Sequence, residues 1–325
     1  MASPAAQGLA PGRAGIAPSD VPATGPADDG TAARPGVWLT NVLLLTMALI
    51  WGVNFSVLKL GTAYLAPVAF NGLRLLLAAS VLGAIALVAR RHRMPSRGDA
   101  LRLALLGVLG HGLYQLLFIL GIARSTAGTA ALVMAAGPAF TGIVGRLLRV
   151  ERPTQRAWMG IALQLTGMLG VVYGSATHAA GAADASTLGP VLILAAALTW
   201  ACYAVLLKPF AERVEPIQLS AWTLLGGVAT LGAFAVPDLV RLDYAAVPAP
   251  AWFAVGYSGL LAMVVAYLFY YRGVRVVGPV RTAMFSNLQP IVALVVAYLT
   301  LGERPGPWQL FGAVLIAAGL LVSRR

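Results

Sequence analysis

Charged residues are scarce in this 325-residue chain. They make up 10% of it, whereas roughly a quarter of the residues of a soluble domain are charged. Hydrophobic residues account for 59%, and the mean hydropathy is +0.82. This composition excludes a soluble globular protein and indicates an integral membrane protein. The one cysteine, Cys202, excludes an intramolecular disulfide and a cysteine-based metal site.

Acidic residues are the rarest charged class. All eleven fall in the N-terminal tail, in predicted loops or at the ends of predicted spans, so the Asp or Glu rings of a cation channel are missing. His92 and His178 stand far from any nucleophile or metal-spaced partner. We therefore expect no enzyme, no metal and no cofactor. The net charge of +12 does not indicate a nucleic-acid partner, because membrane proteins collect Arg and Lys in cytoplasmic loops.

Ten hydrophobic segments are long enough to cross a bilayer, which takes about 20 apolar residues in a helix. Residues 1–36 contain no hydrophobic run and are rich in Ala, Pro and Gly, which predicts a disordered cytoplasmic tail. The predicted spans are 38–58, 67–89, 101–121, 125–147, 156–174, 188–208, 216–236, 250–271, 278–300 and 306–323.

The second half of the chain repeats the first. Pro290 corresponds to Pro138 at an offset of 152 residues. The tripeptide Glu-Arg-Pro occurs at 151–153 and again, at the same offset, at 303–305. Lys59 and Lys208, the only two lysines, are related by an offset of 149. The duplication predicts two repeats, 38–174 and 188–323, of five transmembrane helices each. Because five is odd, the second repeat must enter the membrane from the opposite side, which predicts an all-α, inverted 5+5 fold.

The distribution of basic residues predicts the orientation in the membrane. With the N-terminus inside, 18 Lys and Arg lie on the cytoplasmic side and four on the outer side. Cytoplasmic loops of membrane proteins carry an excess of Lys and Arg. Both termini are therefore expected in the cytoplasm.

Four stretches together resemble a known family: LIWGVNFSVLKL (49–60), FNGLRLLLAAS (70–80), LQPIVALVVAYLTLGERP (288–305) and GAVLIAAGLLV (312–322). They are similar to the drug/metabolite transporter superfamily and, within it, to the family with two EamA domains. The resemblance covers roughly residues 40 to 323. It implies secondary transport, commonly export of amino acids or related metabolites, through a central cavity lined by the first four helices of each half. Small-multidrug-type exporters of the same superfamily rely on a glutamate in their first helix, and helix one here has no acid.

Arg74 is the only charged residue well inside a predicted span, roughly 10 Å below the outer end of helix two. One interpretation is a bidentate clamp for a substrate carboxylate. The other is a structural arginine that bonds to helix-end carbonyls or extends its head towards the membrane surface.

Helix three places His111, Tyr114 and Gln115 on one face, together with Phe118. His111 is expected near mid-depth, where an imidazole could couple transport to a proton or act as a neutral hydrogen-bonding group between helices. If His111 takes no part in coupling, transport would be facilitated diffusion down the gradient of the solute. The corresponding face of helix eight is aromatic, with Tyr267 and Tyr270.

Three further helices supply polar or aromatic candidates. The ninth predicted span (278–300) is expected to expose a backbone carbonyl near Ser286, because Pro290 lacks an amide hydrogen. Aromatic walls with few polar groups suit an amphipathic solute of amino-acid size, although each of these residues could instead serve helix packing. These candidates are Trp51, Asn54, Trp200, Tyr203, Asn287 and Gln289.

The sequence thus favours a secondary transporter of the inner or plasma membrane that exports amino acids or their derivatives by alternating access. The alternatives are a carrier of drugs, nucleobases, sugars or lipids with the same fold, and a membrane sensor that transports nothing. The expected partners are a small-molecule substrate and the lipid bilayer. A monomer is compatible with this expectation, and the sequence leaves the oligomeric state open.

Overall fold

The computed structural model describes residues 35–88, 94–150, 154–179, 187–211, 213–277, 282 and 285–323. The tail expected over 1–36 lies outside this set except for residues 35 and 36, which belong to the first helix. The tripeptide at 151–153 and most of the first ten residues of the ninth predicted span also lie outside it.

The described residues form helices and connecting turns and contain no strand. The longer helical elements within the described ranges follow one another in chain order. They are α1 (Pro35–Tyr64), α2 (Pro67–Val88), α3 (Arg97–Ala123), α4 (Ala127–Leu147), α5 (Gln155–Ala179), α6 (Leu188–Ala211), α7 (Pro216–Arg241), α8 (Ala249–Val277), α9 (Gln289–Leu301) and α10 (Pro307–Ser323).

Eight of these helices, α1 to α8, are long and apolar enough to cross a membrane. The described parts of α9 and α10 are shorter apolar helices. Several helices run past their predicted ends, and α1 continues to Tyr64 rather than stopping at 58. The apolar run ends near Lys59, but the backbone stays helical to Tyr64 and leaves the helix before Pro67, whose ring disfavours a helical conformation of Ala66.

The bundle buries several polar side chains together with its apolar core and exposes many large apolar side chains. Asn71 and Arg74 are buried, whereas Leu87 and Leu299 are exposed by 73% and 72%. A soluble protein would have the opposite arrangement, because water would make such an apolar surface unfavourable. The exposed leucines are therefore the surface that hydrocarbon covers.

Both halves contain a broken helix at the same place. Helix α4 is interrupted at Ala135 and Ala136, and a turn at Asn287 and Leu288 precedes α9, 152 residues later. Each proline of the repeat lies in the first turn of the helix that follows the break. A first-turn amide has no partner within its helix in any case, so the break itself rather than the proline accounts for the turn, and the free carbonyl near Ser286 stays a prediction.

Both halves also contain a wider helical segment. Residues Val108–Leu113 of α3 and Tyr257–Val265 of α8 form π-helix. The N–H of Tyr114 bonds to the carbonyl of Leu109, and the N–H of Ala266 bonds to the carbonyl of Leu261, five residues back in each case. Such segments are rare and frequently occur at functional sites.

The contacts between helices repeat with the sequence. Gly107 of α3 lies against Thr223 of α7, where an added Cβ would overlap the Thr223 carbonyl. Its counterpart Gly259 of α8 lies against Arg74 of α2, and there an added Cβ would be 3.1 Å from the carbonyl oxygen. Thr223 follows Arg74 by the same 149 residues that separate the two lysines. Each half thus packs its third helix on the second helix of the other half.

Helices α5 and α10 pack mainly against each other, at the edge of the bundle. Gly167 lies against Gly312, and Gly319 lies against Gly160, so the two helices run antiparallel with their backbones close together. Small residues permit this close approach in membrane helices. Most of the buried polar residues lie in the remaining helices, whereas Gln164 is buried in α5.

Candidate functional site

A group of aromatic side chains lies between the two halves. The Trp51 ring is 5.5 Å from Tyr267 and 5.7 Å from Tyr270, measured between ring centroids. His111 lies 5.6 Å from Tyr203 and 5.5 Å from Tyr267. The structure thus brings these five predicted residues together, and we call them, with Tyr114, Trp200 and Tyr271, the aromatic cage.

The cage continues through Trp200. Its ring lies 5.0 Å from Tyr114, 5.1 Å from Tyr203 and 6.2 Å from Tyr267. The Tyr203 hydroxyl is 3.3 Å from the hydroxyl of Tyr271, a residue that was not among the sequence candidates. Tyr271 could have been recognised, because it follows Tyr270 in the same helix and lies four residues after Tyr267.

Backbone geometry holds the cage in place. The Trp51 indole donates to the carbonyl of Ala262, inside the π-helix of α8, at 2.9 Å. His111 lies in the π-helix of α3, and its Cβ lies where a side chain on Gly227 would stand. The Tyr203 ring similarly occupies the space above Gly110. Glycine at these two positions is what allows the rings to reach the interface.

Arg74 is 2% exposed and is the largest fully buried side chain. Its Nη2 donates to Gln115 Oε1 at 2.8 Å. Its Nε and Nη1 have no hydrogen-bond partner, and no ion pair is formed by Arg74 within the described ranges. A buried guanidinium without a carboxylate is costly unless an anion compensates it. The structure does not place Arg74 at the membrane surface.

Asn71 is a buried polar residue that the sequence candidates did not include. It is fully buried, one turn before Arg74, and its Nδ2 donates to the backbone carbonyl of Gln115 at 3.0 Å. The spacing of three residues puts it on the same face of α2 as Arg74, and that spacing was the available signal.

His111 is buried, and neither ring nitrogen has a hydrogen-bond partner among the described residues. The expected bond to a neighbouring helix is therefore not formed in this conformation. The participation of His111 in proton coupling stays a prediction.

Three predicted residues share no hydrogen bond with the cage among the described residues. Asn54 is buried, one turn after Trp51, and its Oδ1 has no partner in the described part of the chain. Asn287 and Gln289 are half-buried at the helix break. Their proposed contact with substrate stays a prediction.

One end of the bundle is tied together by charged side chains at helix ends. Glu303, between α9 and α10, accepts hydrogen bonds from the N–H groups of Ala127 and Gly128 at 2.9 and 3.0 Å. Lys59 of α1 donates to the carbonyls of Ile122 and Ala123 at 3.3 and 3.1 Å. The acid meets the positive start of α4, and the lysine meets the negative end of α3. Glu303 thereby links the second half to the first.

A cavity opens at the other end of the bundle, where α7 begins and α8 ends. Its volume is about 530 Å³. Arg275 lies in its wall and is bonded to Glu215 at 2.7 Å. Leu268 also lines it, and none of the cage residues is among its lining residues. At the Glu303 end the cavity is smaller, about 80 Å³.

No group of three or more His, Cys, Asp or Glu side chains that could hold a metal occurs among the residues with described positions. The site therefore consists of one buried cation, two amide side chains and aromatic rings. Such a set can bind and orient a small anionic or zwitterionic molecule with an apolar part.

Comparison with known proteins identifies the family. The model of the EamA-like transporter family matches twice, over residues 38–173 and 187–325. The chain is 31% identical to a probable terminal-alkyne amino-acid exporter of Streptantibioticus cattleyicolor, over 89% of this chain and 93% of that protein. It is 30% identical to a probable amino-acid metabolite efflux pump of Escherichia coli, over 87% and 94%. An uncharacterized transporter of Bacillus subtilis is 24% identical over 87% and 92%.

A solved crystal structure has the same fold, with a TM-score of 0.60 and 20% identity over 88% of this chain and 97% of that chain. The family matches cover most of the chain and confirm the resemblance that the sequence motifs indicated. The chain belongs to the EamA-like transporter family.

Proposed function

We propose that this transporter exports amino acids or their derivatives across the inner membrane by alternating access. The observation that carries this proposal is Arg74, a fully buried cation whose Nε and Nη1 are without partners in the described structure. A substrate carboxylate fits a guanidinium that offers two N–H groups. The substrate side chain would lie against the aromatic cage.

The proposed architecture has two inverted five-helix halves, 38–174 and 188–323. The mirrored glycine contacts of α3 and α8 and the antiparallel pair α5–α10 support it. In such transporters the substrate site lies near the midplane at the interface of the repeats, and the contacts of the cage between the two halves support the same location here. The halves would rock about this site, with α5 and α10 outside the moving core.

The proposed orientation places both termini and the larger cavity in the cytoplasm. Arg213 and Arg275 pair with Asp99 and Glu215 at this end, and most of the basic residues flank it. An exporter must collect substrate from this side. Arg272 and Arg275 at the cavity mouth would attract a carboxylate-bearing solute.

The names of the relatives in Streptantibioticus and Escherichia point to the same substrate class. Sugars and nucleobases would leave the Arg74 charge without a carboxylate. A sensor that transports nothing would not need access from both ends of the bundle. We therefore place amino acids first.

The test is counterflow in proteoliposomes loaded with a mixed pool of unlabelled amino acids, with labelled amino acids outside. The wild-type protein is expected to exchange them. Arg74→Ala is expected to lower exchange by at least about a hundredfold, because two charged hydrogen bonds are lost. Arg124→Ala is the control, since that arginine is exposed and bonds only to the carbonyl of Leu120.

Arg74→Lys keeps the charge but loses the planar pair of donors, so it is expected to exchange more slowly than wild type while folding equally well. Size-exclusion profiles in detergent show which variants fold. The proposal is wrong if wild type exchanges no amino acid, or if folded Arg74→Ala exchanges like Arg124→Ala.

Energy coupling has two candidate routes, facilitated diffusion and protonation of His111. An imposed pH gradient distinguishes them. If the gradient drives uptake in wild type and fails to do so in His111→Ala, His111 takes part in coupling. If neither protein responds, transport follows the gradient of the solute itself.

A further inference from the structure

The Asn71 side chain has a fixed orientation. Its Nδ2 must face the backbone carbonyl of Gln115 at 3.0 Å, because a carbonyl accepts and cannot donate. The opposite assignment of the amide would bring two acceptors together. The remaining oxygen, Oδ1, is buried and has no hydrogen-bond partner in the described structure.

Asn71 and Arg74 converge on one residue. Asn71 bonds to the main chain of Gln115, and Arg74 bonds to its side chain at 2.8 Å. The two residues are also three apart on one face of α2. The site therefore presents an unpaired acceptor, Asn71 Oδ1, next to unpaired charged donors, Arg74 Nε and Nη1.

A zwitterion has the complementary pattern. An α-amino acid carries its ammonium donor and its carboxylate acceptor on the same carbon atom, whereas a simple carboxylic acid carries only the acceptor. Resting on the proposed function, we propose that Asn71 Oδ1 receives the substrate α-ammonium while Arg74 binds the carboxylate. Asn71 is then the residue that selects amino acids over their deaminated counterparts.

The chemistry favours an amide over a carboxylate at this position. Aspartate at 71 would pair with Arg74 at a spacing of three residues and would neutralise the cation that the substrate needs. The amide oxygen of Asn71 can accept a hydrogen bond from the ammonium, and because it carries no charge it does not compete with the substrate carboxylate for the guanidinium of Arg74. A site that hydrogen-bonds a donor group of its substrate rejects an analogue without that group, because the acceptor of the site is then left unpaired.

The second half offers a matched control. Ser220 follows Asn71 by 149 residues, and it is also buried with its hydroxyl unpartnered in the described structure. Its neighbour one turn later is Thr223, whose hydroxyl bonds to carbonyls of its own helix. No cation lies beside Ser220 in α7, so this position cannot form the proposed pair of contacts.

The experiment measures competition against labelled amino-acid counterflow by two unlabelled pools. One pool contains leucine, phenylalanine and methionine, and the other contains 4-methylpentanoate, 3-phenylpropionate and 4-(methylthio)butanoate. Wild type and Ser220→Ala are expected to favour the amino-acid pool by about tenfold or more. In Asn71→Leu this advantage is expected to fall below about threefold.

A purely structural role of Asn71 would lower exchange without changing the ratio between the two pools. An unchanged ratio in Asn71→Leu therefore overturns the inference. Asn71→Val, which is shorter than leucine and has no acceptor, provides the same readout if Asn71→Leu does not fold. Failure of the proposed function is seen separately, as an absence of amino-acid exchange in wild type.

Discussion

Helices α2 and α7 occupy equivalent places in the two halves but carry different chemistry. The inward face of α2 presents Asn71 and Arg74, whereas that of α7 presents Ser220 and Thr223. The backbone contacts of both helices with glycine are nevertheless mirrored. The duplicated scaffold has kept its packing while its buried side chains have diverged.

Helices α3 and α8 differ in the same way. The positions of Tyr114 and Gln115 in α3 correspond to Ala266 and Tyr267 in α8. One wall of the site can therefore hold a charged head group, and the other can hold an apolar side chain. A substrate bound as proposed would therefore take one preferred orientation between the two walls.

The strongest test of the shared scaffold is at the glycine contacts. Gly107→Ala places a Cβ on the Thr223 carbonyl, whereas Gly259→Ala places one 3.1 Å from the Arg74 carbonyl oxygen. We expect Gly107→Ala to destabilise the protein by about 3 kcal/mol and Gly259→Ala by about 1 kcal/mol. Thermal unfolding in detergent measures both. Equal effects would mean that the two crossings are equally tight.

The division into a polar and an aromatic wall predicts unequal effects at Gln115 and Tyr267. Gln115→Leu removes the acceptor that orients Arg74 and is expected to lower exchange by about tenfold. Tyr267→Phe keeps the ring against Trp51 and His111 and is expected to change it by at most about twofold. Counterflow rates at equal protein content give the comparison, and a reversed order would contradict it.

The link between the halves at the Glu303 end can be weakened without touching the cage. Glu303→Gln removes the charge that meets the start of α4 and is expected to lower stability by about 1–2 kcal/mol. Glu215→Gln is the control, because its ion pair with Arg275 is solvent-exposed. Thermal unfolding of the two variants should differ clearly. Similar shifts would show that Glu303 contributes no more than a surface charge.

The smallest effect is expected at the opposite end. Arg275→Ala breaks only an exposed ion pair, so its stability should change by less than about 1 kcal/mol. Its rate of amino-acid exchange should fall slightly at low ionic strength and match wild type at high salt, because salt screens long-range attraction. An equal loss at all salt concentrations would show that Arg275 acts by contact instead.

The sequence predicted much of this molecule because hydrophobicity and repetition are local signals. The helices and the shared face of His111, Tyr114 and Gln115 follow from spacing alone. The role of Glu303 could not be predicted, because it bonds to amides 175 and 176 residues away. The place of Pro290 in the first turn of α9 could not be predicted, since a proline pattern does not show whether a helix starts or continues there.

Asn71 illustrates a different limit. The sequence shows that Asn71 precedes Arg74 by three residues. However, asparagine is common near helix starts and is uncharged, so the sequence gives no reason to select it as a binding residue. Only its partner, the carbonyl of Gln115 in another helix, shows that one of its two polar ends is occupied and the other is not. Satisfaction of hydrogen bonds is a property of the folded chain.

The paired π-helices set the helical register of the two walls of the site in the same way. A π-helical turn accommodates more residues than an α-helical turn, so it rotates the residues that follow it relative to those that precede it. Val108–Leu113 and the end of Tyr257–Val265 coincide under the repeat offset. Gln115 of α3 and Tyr267 of α8 therefore both follow a widened turn at the same distance, and a change that restored a regular α-helix in one half alone would turn one wall relative to the other.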